Sequence, residues 1–287
     1  MSGPRKIIFL LPALALALAA RAQQRFLPQP NYVQLSPPDQ AEGQRVLEEF
    51  RAKGIAGDYF FEFELQVLPR RGEERVLTGR QWGTSNDQGP LTRIELVTDP
   101  DKKTELRLLV QSGPSPMVWK WDGAGAPGPL DASALFAPVA GTNVTAFDLE
   151  RPFLYWPDFV YEGLTRVLGR PAHQFLLRPP PDFAAKYPAL TGVRVYLDTQ
   201  FNALVQAELI GDHGQVLKTI TLLELKRIGE KWIPKSFDVR DEVTRDKTRF
   251  VVTGAALGLT LPHDIFSPAQ LAETASPPPA ERITPVE

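Results

Sequence analysis

The chain has 287 residues, 43% of them hydrophobic, with 32 Lys and Arg against 34 Asp and Glu and no cysteine. That near-balance of charge lacks the clustered basic excess of a nucleic-acid footprint, so no nucleic-acid partner is expected. The missing thiols exclude disulfides, thiolate metal sites, a cysteine nucleophile and acylation at an N-terminal cysteine.

At the start, Arg5 and Lys6 precede an apolar run from Ile7 to Ala20, and Ala20-Arg21-Ala22 places small residues where a signal peptidase reads them. Residues 1–22 are therefore expected to be a signal peptide cleaved after Ala22. The run falls short of the ~18 to 20 apolar residues that cross a hydrocarbon core, and the remainder is expected to be exported and soluble. Residues 23–38, rich in Pro and Gln, read as a flexible linker, and residues 39–271 as a single domain. Residues 272–287 read as a disordered tail, because Pro277-Pro278-Pro279 and few apolar side chains leave little to offset the ordering entropy.

The domain opens with a helix. Asp39 and Glu42 form a capping box, Val46, Leu47 and Phe50 an apolar stripe, and Gly54 a stop. From Tyr59 to Val67 apolar residues alternate with Glu62, Glu64 and Gln66, the period of a strand with one dry and one wet face. Similar runs follow at Val76–Trp82, Arg93–Val97, Glu105–Val110, Met117–Trp121, Val193–Leu197, Leu204–Ile210, Val216–Lys226, Trp232–Arg240 and Thr248–Thr253. Turn residues such as Asn86-Asp87-Gln88-Gly89 and Gly211-Asp212-His213-Gly214 join several of them. Many short hairpin-linked strands make a mainly β, α+β fold, an antiparallel sheet curling into a barrel or half-barrel. One stretch breaks the pattern: Thr145 and Asp148 form a second capping box, and Phe147, Leu149, Phe153, Leu154 and Trp156 follow, with Pro152 dividing any helix. Such an aromatic segment must cover an apolar surface, as plug, lid or end-cap.

Residues with chemistry are scarce. His173, His213 and His263 have no ligand spacing, so neither metal nor cofactor is expected. The nucleophile, zinc-protease and phosphate-loop motifs do not occur, and no catalytic residue is nominated. Gly123, Gly125 and Gly128 match a dinucleotide fingerprint, but Pro127 and Pro129 replace the helix it requires, which leaves an inter-strand loop. Asn143-Val144-Thr145 fits a glycosylation sequon and reads as incidental. Aromatic surface does stand out, on the odd face of Tyr59–Val67, in Met117, Trp119 and Trp121, and in the inserted segment. On residue types it reads first as an ordinary packed core, with a cavity lining as the functional alternative, and composition does not choose between them.

From Gly192 onward the order of elements resembles the outer-membrane lipoprotein-sorting proteins, relatives of the LolA and LolB carriers. The matching elements are Gly192–Asp198, a strand ending in Asp; Gly211–Thr219, a Gly-rich turn into a Lys-Thr strand; Gly229–Lys235, with Trp232 and Pro234; and the closing Asp264–Leu271. Gly141–Leu149 is similar to the family's central Gly-x-x-(Ser/Thr)-x-x-Asp-Leu segment. The resemblance implies an unclosed antiparallel β-barrel with a helical lid, a non-enzymatic periplasmic monomer holding lipid or lipoprotein acyl chains. An inner-membrane exporter and an outer-membrane acceptor are the partners it implies. It nominates Phe61, Phe63, Leu65, Ile94, Leu96, Trp119 and Trp121 for the cavity and Phe147, Leu149, Phe153, Leu154 and Trp156 for the lid. Arg93 is nominated as the latch bonded to lid backbone, although Ile94 and not proline follows it. The alternative is an envelope interaction module of the same shape with a filled core.

Overall fold

A computed structural model describes residues 37–53, 55, 57–99 and 104–287. The signal peptide, nearly all of the linker and the Gly54 stop lie outside the described residues. Helix α1 (Gln40–Ala52) starts where the sequence places it, with the Asp39 carboxylate accepting from Ala41 N at 2.9 Å. The cap is single, since among the described residues no bond returns from Glu42.

Among the described residues, fourteen strands form one antiparallel sheet. Its first half holds β1 (Asp58–Leu68), β2 (Arg75–Asn86), β3 (Gly89–Asp99), β4 (Thr104–Gln111), β5 (Met117–Trp121) and the short β6 (Gly128–Pro129). The second holds β7 (Asp158–Val167), β8 (Arg170–Arg178), β9 (Leu190–Asp198), β10 (Leu204–Gly211), β11 (Val216–Ile228), β12 (Lys231–Asp241) and β13 (Lys247–Leu259), with β14 (Thr284–Pro285) added to β13. Each half is a meander, and the pairing of β1 with β13 joins them, which leaves β6 and β7 as the two unpaired ends of an unclosed sheet.

All ten expected strands form, but the β7–β8 hairpin was not expected. Its two-residue turn, Leu168-Gly169, has positive φ at both positions (48° and 82°), the geometry that suits the twist of the strands. Leucine in place of Asn or Asp at the first position hides that turn from a composition-based reading. Helix α1 covers the β7 edge. Gln40 acts there like a peptide group, donating to Tyr161 O and accepting from Tyr161 N, both at 2.9 Å. Gly43 lets the helix approach, because a Cβ there would lie 2.4 Å from Tyr161 Cβ.

One face of the first half buries Phe61, Phe63, Leu65, Leu77, Ile94, Leu96, Leu106 and Leu108. A second cluster on the other half joins Leu47 of α1 to Tyr161, Phe175, Leu177, Val193, Val195 and Leu209. The opposite face of the first half is also dry, because Phe60, Trp82 and Leu109 pack beneath Phe266, Leu271 and Ala275 of the C-terminal segment. β1 therefore has two dry faces at Phe60–Phe61, where the sequence suggested one.

The expected disordered tail, residues 272–287, is instead laid against the sheet. β13 extends past its pairing with β12, and its free edge accepts β14 and the Val286 N–H, which donates to Thr253 O at 2.9 Å. Val286 is buried with Phe61 and Phe63. Backbone bonds from residues 284–286 to β13 supply what the tail's few apolar side chains alone could not. Residues 262–275 are clamped through their carbonyls. Buried Arg93 donates to Ile265 O (2.9 Å), Gln270 O (3.1 Å) and Glu273 O, and pairs with Glu95 at 2.8 Å. Glu95 in turn accepts from Ala275 N at 3.0 Å, while Arg107 donates to Ala272 O and Thr274 Oγ1. The Arg93→Ala variant strands Glu95 in the interior and orphans three carbonyls, so it is expected to lower the unfolding free energy by about 3 kcal/mol or more in urea titration. Arg80→Ala on the exposed surface is the near-neutral control.

Candidate functional site

Between β6 and β7 the chain leaves the sheet and crosses its inner side. Residues 130–156 run through 3-10 turns at Ala132–Ala134 and Val139–Gly141, helix α2 (Ala146–Glu150) and a further 3-10 turn at Pro152–Tyr155. The capping box predicted at Thr145 forms in both directions, Thr145 N donating to Asp148 Oδ2 at 2.8 Å and Asp148 N to Thr145 Oγ1. Arg151 takes a left-handed conformation (φ 51°) and ends α2 just before Pro152.

Every residue nominated for the lid faces inward. Phe147, Phe153, Leu154 and Trp156 belong to the second cluster, Leu149 packs against the first, and Leu135 touches both. The segment therefore wedges between the two halves of the sheet.

Cationic side chains hold its backbone. Arg51, in the last turn of α1, donates to Leu154 O and Trp156 O; Arg75 donates to Ala140 O (2.9 Å) and Gly141 O (2.6 Å). Lys218 donates to Asn143 O at 3.0 Å and pairs with Asp148 at 2.7 Å. Burial pushes the Arg51 guanidinium below its ordinary range, an effect the nearby Tyr155 and Glu48 partly oppose. Arg93 holds the C-terminal segment on the outer face and does not bond to residues 147–156, so the nominated latch lies on the wrong side of the sheet. Arg51 and Arg75 carried no local signal, because each gains its role only from the tertiary approach of the covering segment.

The cavity nominees divide. Phe61, Phe63, Leu65, Ile94 and Leu96 come together on the inner face, where Phe63 stacks on Phe250 at 4.7 Å between ring centres. Trp119 and Trp121 point to the outer face, since β5 pairs Trp119 with Leu109 and Trp121 with Arg107, whose guanidinium lies 4.5 Å from the Trp121 ring centre. On β5 it is Val118 that faces inward.

A cleft of about 570 Å³ opens beside the covering segment, a size typical of small-molecule sites. Val118, Leu130 and Leu135 line it with Tyr155 and Trp156, and α3 (Pro181–Lys186) adds Phe183, with Tyr187 following. Of the nominated residues only Trp156 lines this cleft; the five on the inner face are packed away from it. Glu150 also lines it, is only 7% exposed, and has no hydrogen bond or ion pair among the described residues. Burial pushes its carboxyl up to about 7. His173, by contrast, is accounted for by its 2.8 Å contact with the Tyr161 hydroxyl, and burial depresses its pKa. Among the described residues no three His, Asp or Glu side chains gather as they would around a metal ion, and no helix is long and apolar enough to cross a membrane.

Because the Glu150 pKa lies above its ordinary 4.5, the folded state favours the protonated form. The stability this adds is complete below about 4.5 and is lost as pH rises through about 7. The Glu150→Gln variant should therefore melt at a higher temperature than wild type at pH 8, with the gap closing toward pH 4.5. A gap that stays constant across that window contradicts the assignment.

Solved structures share this architecture. A domain described as an outer membrane lipoprotein-sorting protein from Vibrio parahaemolyticus superposes with a TM-score of 0.70 at 17% identity, covering 82% of this chain and 100% of its own. A DUF1329 family protein from Desulfovibrio piger gives the same TM-score and coverage at 13% identity. A LolA superfamily protein from Nitrosomonas europaea gives 0.58 at 15% identity, covering 78% of this chain and 96% of its own. No curated protein sequence matches the chain. A family model described only as an uncharacterized protein matches residues 127–273, just over half of the sequence. The chain belongs to that family, and its fold is the unclosed, LolA-like half-barrel of the lipoprotein-sorting proteins.

Proposed function

We propose that this chain is a non-enzymatic periplasmic carrier that shelters acyl chains of a lipid or lipoprotein beneath residues 130–156, which act as its lid. The observation that carries this reading is the attachment of that segment. It covers an apolar inner face and, among the described residues, is joined to the rest of the protein chiefly by side-chain bonds from Arg51, Arg75, Lys218 and Thr248, with Leu130 N to Val118 O its backbone bond to a strand. Exposing acyl chains to water costs about 0.8 kcal/mol per methylene, so soluble transit requires an enclosed carrier. The cleft offers an entry, and displacement of Phe147, Phe153 and Trp156 would open the apolar surface behind it. Loading needs only that the closed and open states differ by a few kcal/mol, a balance a ligand can tip. The likeness in fold to lipoprotein-sorting proteins supports the same reading. Hand-over from an inner-membrane exporter and to an outer-membrane acceptor belongs to this proposal.

One observation favours a second reading, an interaction module with a filled core: Phe63, Phe250 and Phe237 stack at 4.7 Å spacings in the inner cluster. The two separate on lipid. Mass spectrometry of extracts from the purified protein should find a bound amphiphile, and lipid should displace a hydrophobic dye. Arg51→Ala removes two bonds from a charged donor to the lid, together about 1.5 to 3 kcal/mol, and should raise dye occupancy about tenfold or more. Neither extractable lipid nor dye binding in wild type or variant would leave the filled-core reading.

A further inference from the structure

The Glu150 carboxylate has no counterpart in a purely apolar carrier. Carboxylates on side chains this deeply buried are usually paired, because an unpaired charge there is costly. This one ends α2 with its side chain in the cleft and no donor among the described residues. Its surroundings share its electrostatic preference. Asp131 and Asp182 line the same cleft, against Lys186 as the basic residue among its walls. Aromatic rings of Tyr155, Trp156 and Tyr187 complete it, and rings attract cations at their faces. Lys186 already places its ammonium 5.7 Å from the centre of the Tyr187 ring, so the cleft's aromatic surface holds a cation of the protein's own. A carboxylate without a donor beside aromatic rings and an apolar wall is the arrangement that receives an ammonium group attached to a hydrocarbon chain.

We propose that the cleft binds an amine-bearing amphiphile, Glu150 accepting hydrogen bonds from its ammonium group while Val118, Leu130 and Leu135 contact the chain. This rests on the carrier reading and specifies the headgroup, which that reading leaves open. The amine could be the ethanolamine of a phospholipid or a free ammonium on a simpler amphiphile; the chemistry at Glu150 is the same.

The test compares dodecylamine, dodecanol and dodecanoate at pH 8, each below its micelle concentration, by dye displacement or calorimetry on the full chain and on Glu150→Gln. A charge-assisted hydrogen bond predicts that dodecylamine binds about tenfold or more tighter than dodecanol, and that Glu150→Gln reduces this preference to a factor near one. Thermal melts establish that the near-isosteric variant is folded. Lysophosphatidylethanolamine against lysophosphatidylglycerol separates the two sources: a preference for the former assigns the phospholipid, and one confined to dodecylamine assigns the simpler ammonium. Equal binding of the three dodecyl compounds, or an amine preference that survives Glu150→Gln, overturns the proposal and leaves the carrier reading standing. Binding of none of them overturns both.

Discussion

An irregular stretch of backbone laid on an apolar sheet carries carbonyl groups that no ladder satisfies, and a buried carbonyl without a donor is costly. Among the described residues, two such stretches lie on this unclosed sheet, residues 130–156 inside and 262–275 outside. Side chains reaching from regular elements satisfy part of both: Arg51 from α1, Arg75 from β2, Lys218 from β11, Arg93 from β3 and Arg107 from β4. A guanidinium suits this task, because its planar fork can serve two or three carbonyls at once.

The two attachments differ in a way that bears on function. On the outer face Arg93 is 1% exposed and paired with Glu95, and Phe266 and Leu271 are packed above Phe60 and Trp82. Releasing that segment would uncover Phe60 and Trp82 and remove the carbonyls Arg93 serves, so it behaves as part of the wall. On the inner face Arg51 and Arg75 bond carbonyls with no carboxylate partner at the contact, and Arg75 remains exposed to water, while Lys218 pairs with the buried Asp148 of the segment at 2.7 Å. Freed from the covering segment, both side chains can return to solvent. Opening the inner cover would part Lys218 from Asp148, a cost of its own, and Glu150 sits at the margin of this segment.

What the sequence disclosed follows the range of the forces involved. Period-two alternation and the Thr145–Asp148 cap are local, and both elements formed where the residues indicated. The β7–β8 hairpin was hidden by a leucine in a turn that ordinarily takes Asn or Asp. On β5 the alternation was visible but its sense was not. Trp119 and Trp121 look like cavity lining on size alone, yet register with Leu109 and Arg107 turns them outward. The tail seemed too polar to order because its stabilising partners are backbone groups of β13, which composition does not reveal. Arg51 as a contact of the covering segment and Glu150 as an acid without a partner among the described residues depend wholly on which segments meet in space.

If the inner cover opens while the sheet stays intact, its amides must exchange with solvent independently of global unfolding. Native-state hydrogen exchange can follow the N–H groups of Leu149, Arg151, Leu154 and Trp156, all bonded within the segment, beside those of Leu96 in β3 and Val195 in β9. A carrier with a separable lid predicts that the first group exchanges by a local opening, insensitive to low urea, with a free energy several kcal/mol below that of the strands. Exchange of both groups at the same free energy and with the same urea dependence would show a cover that moves only when the whole protein unfolds, which contradicts the account.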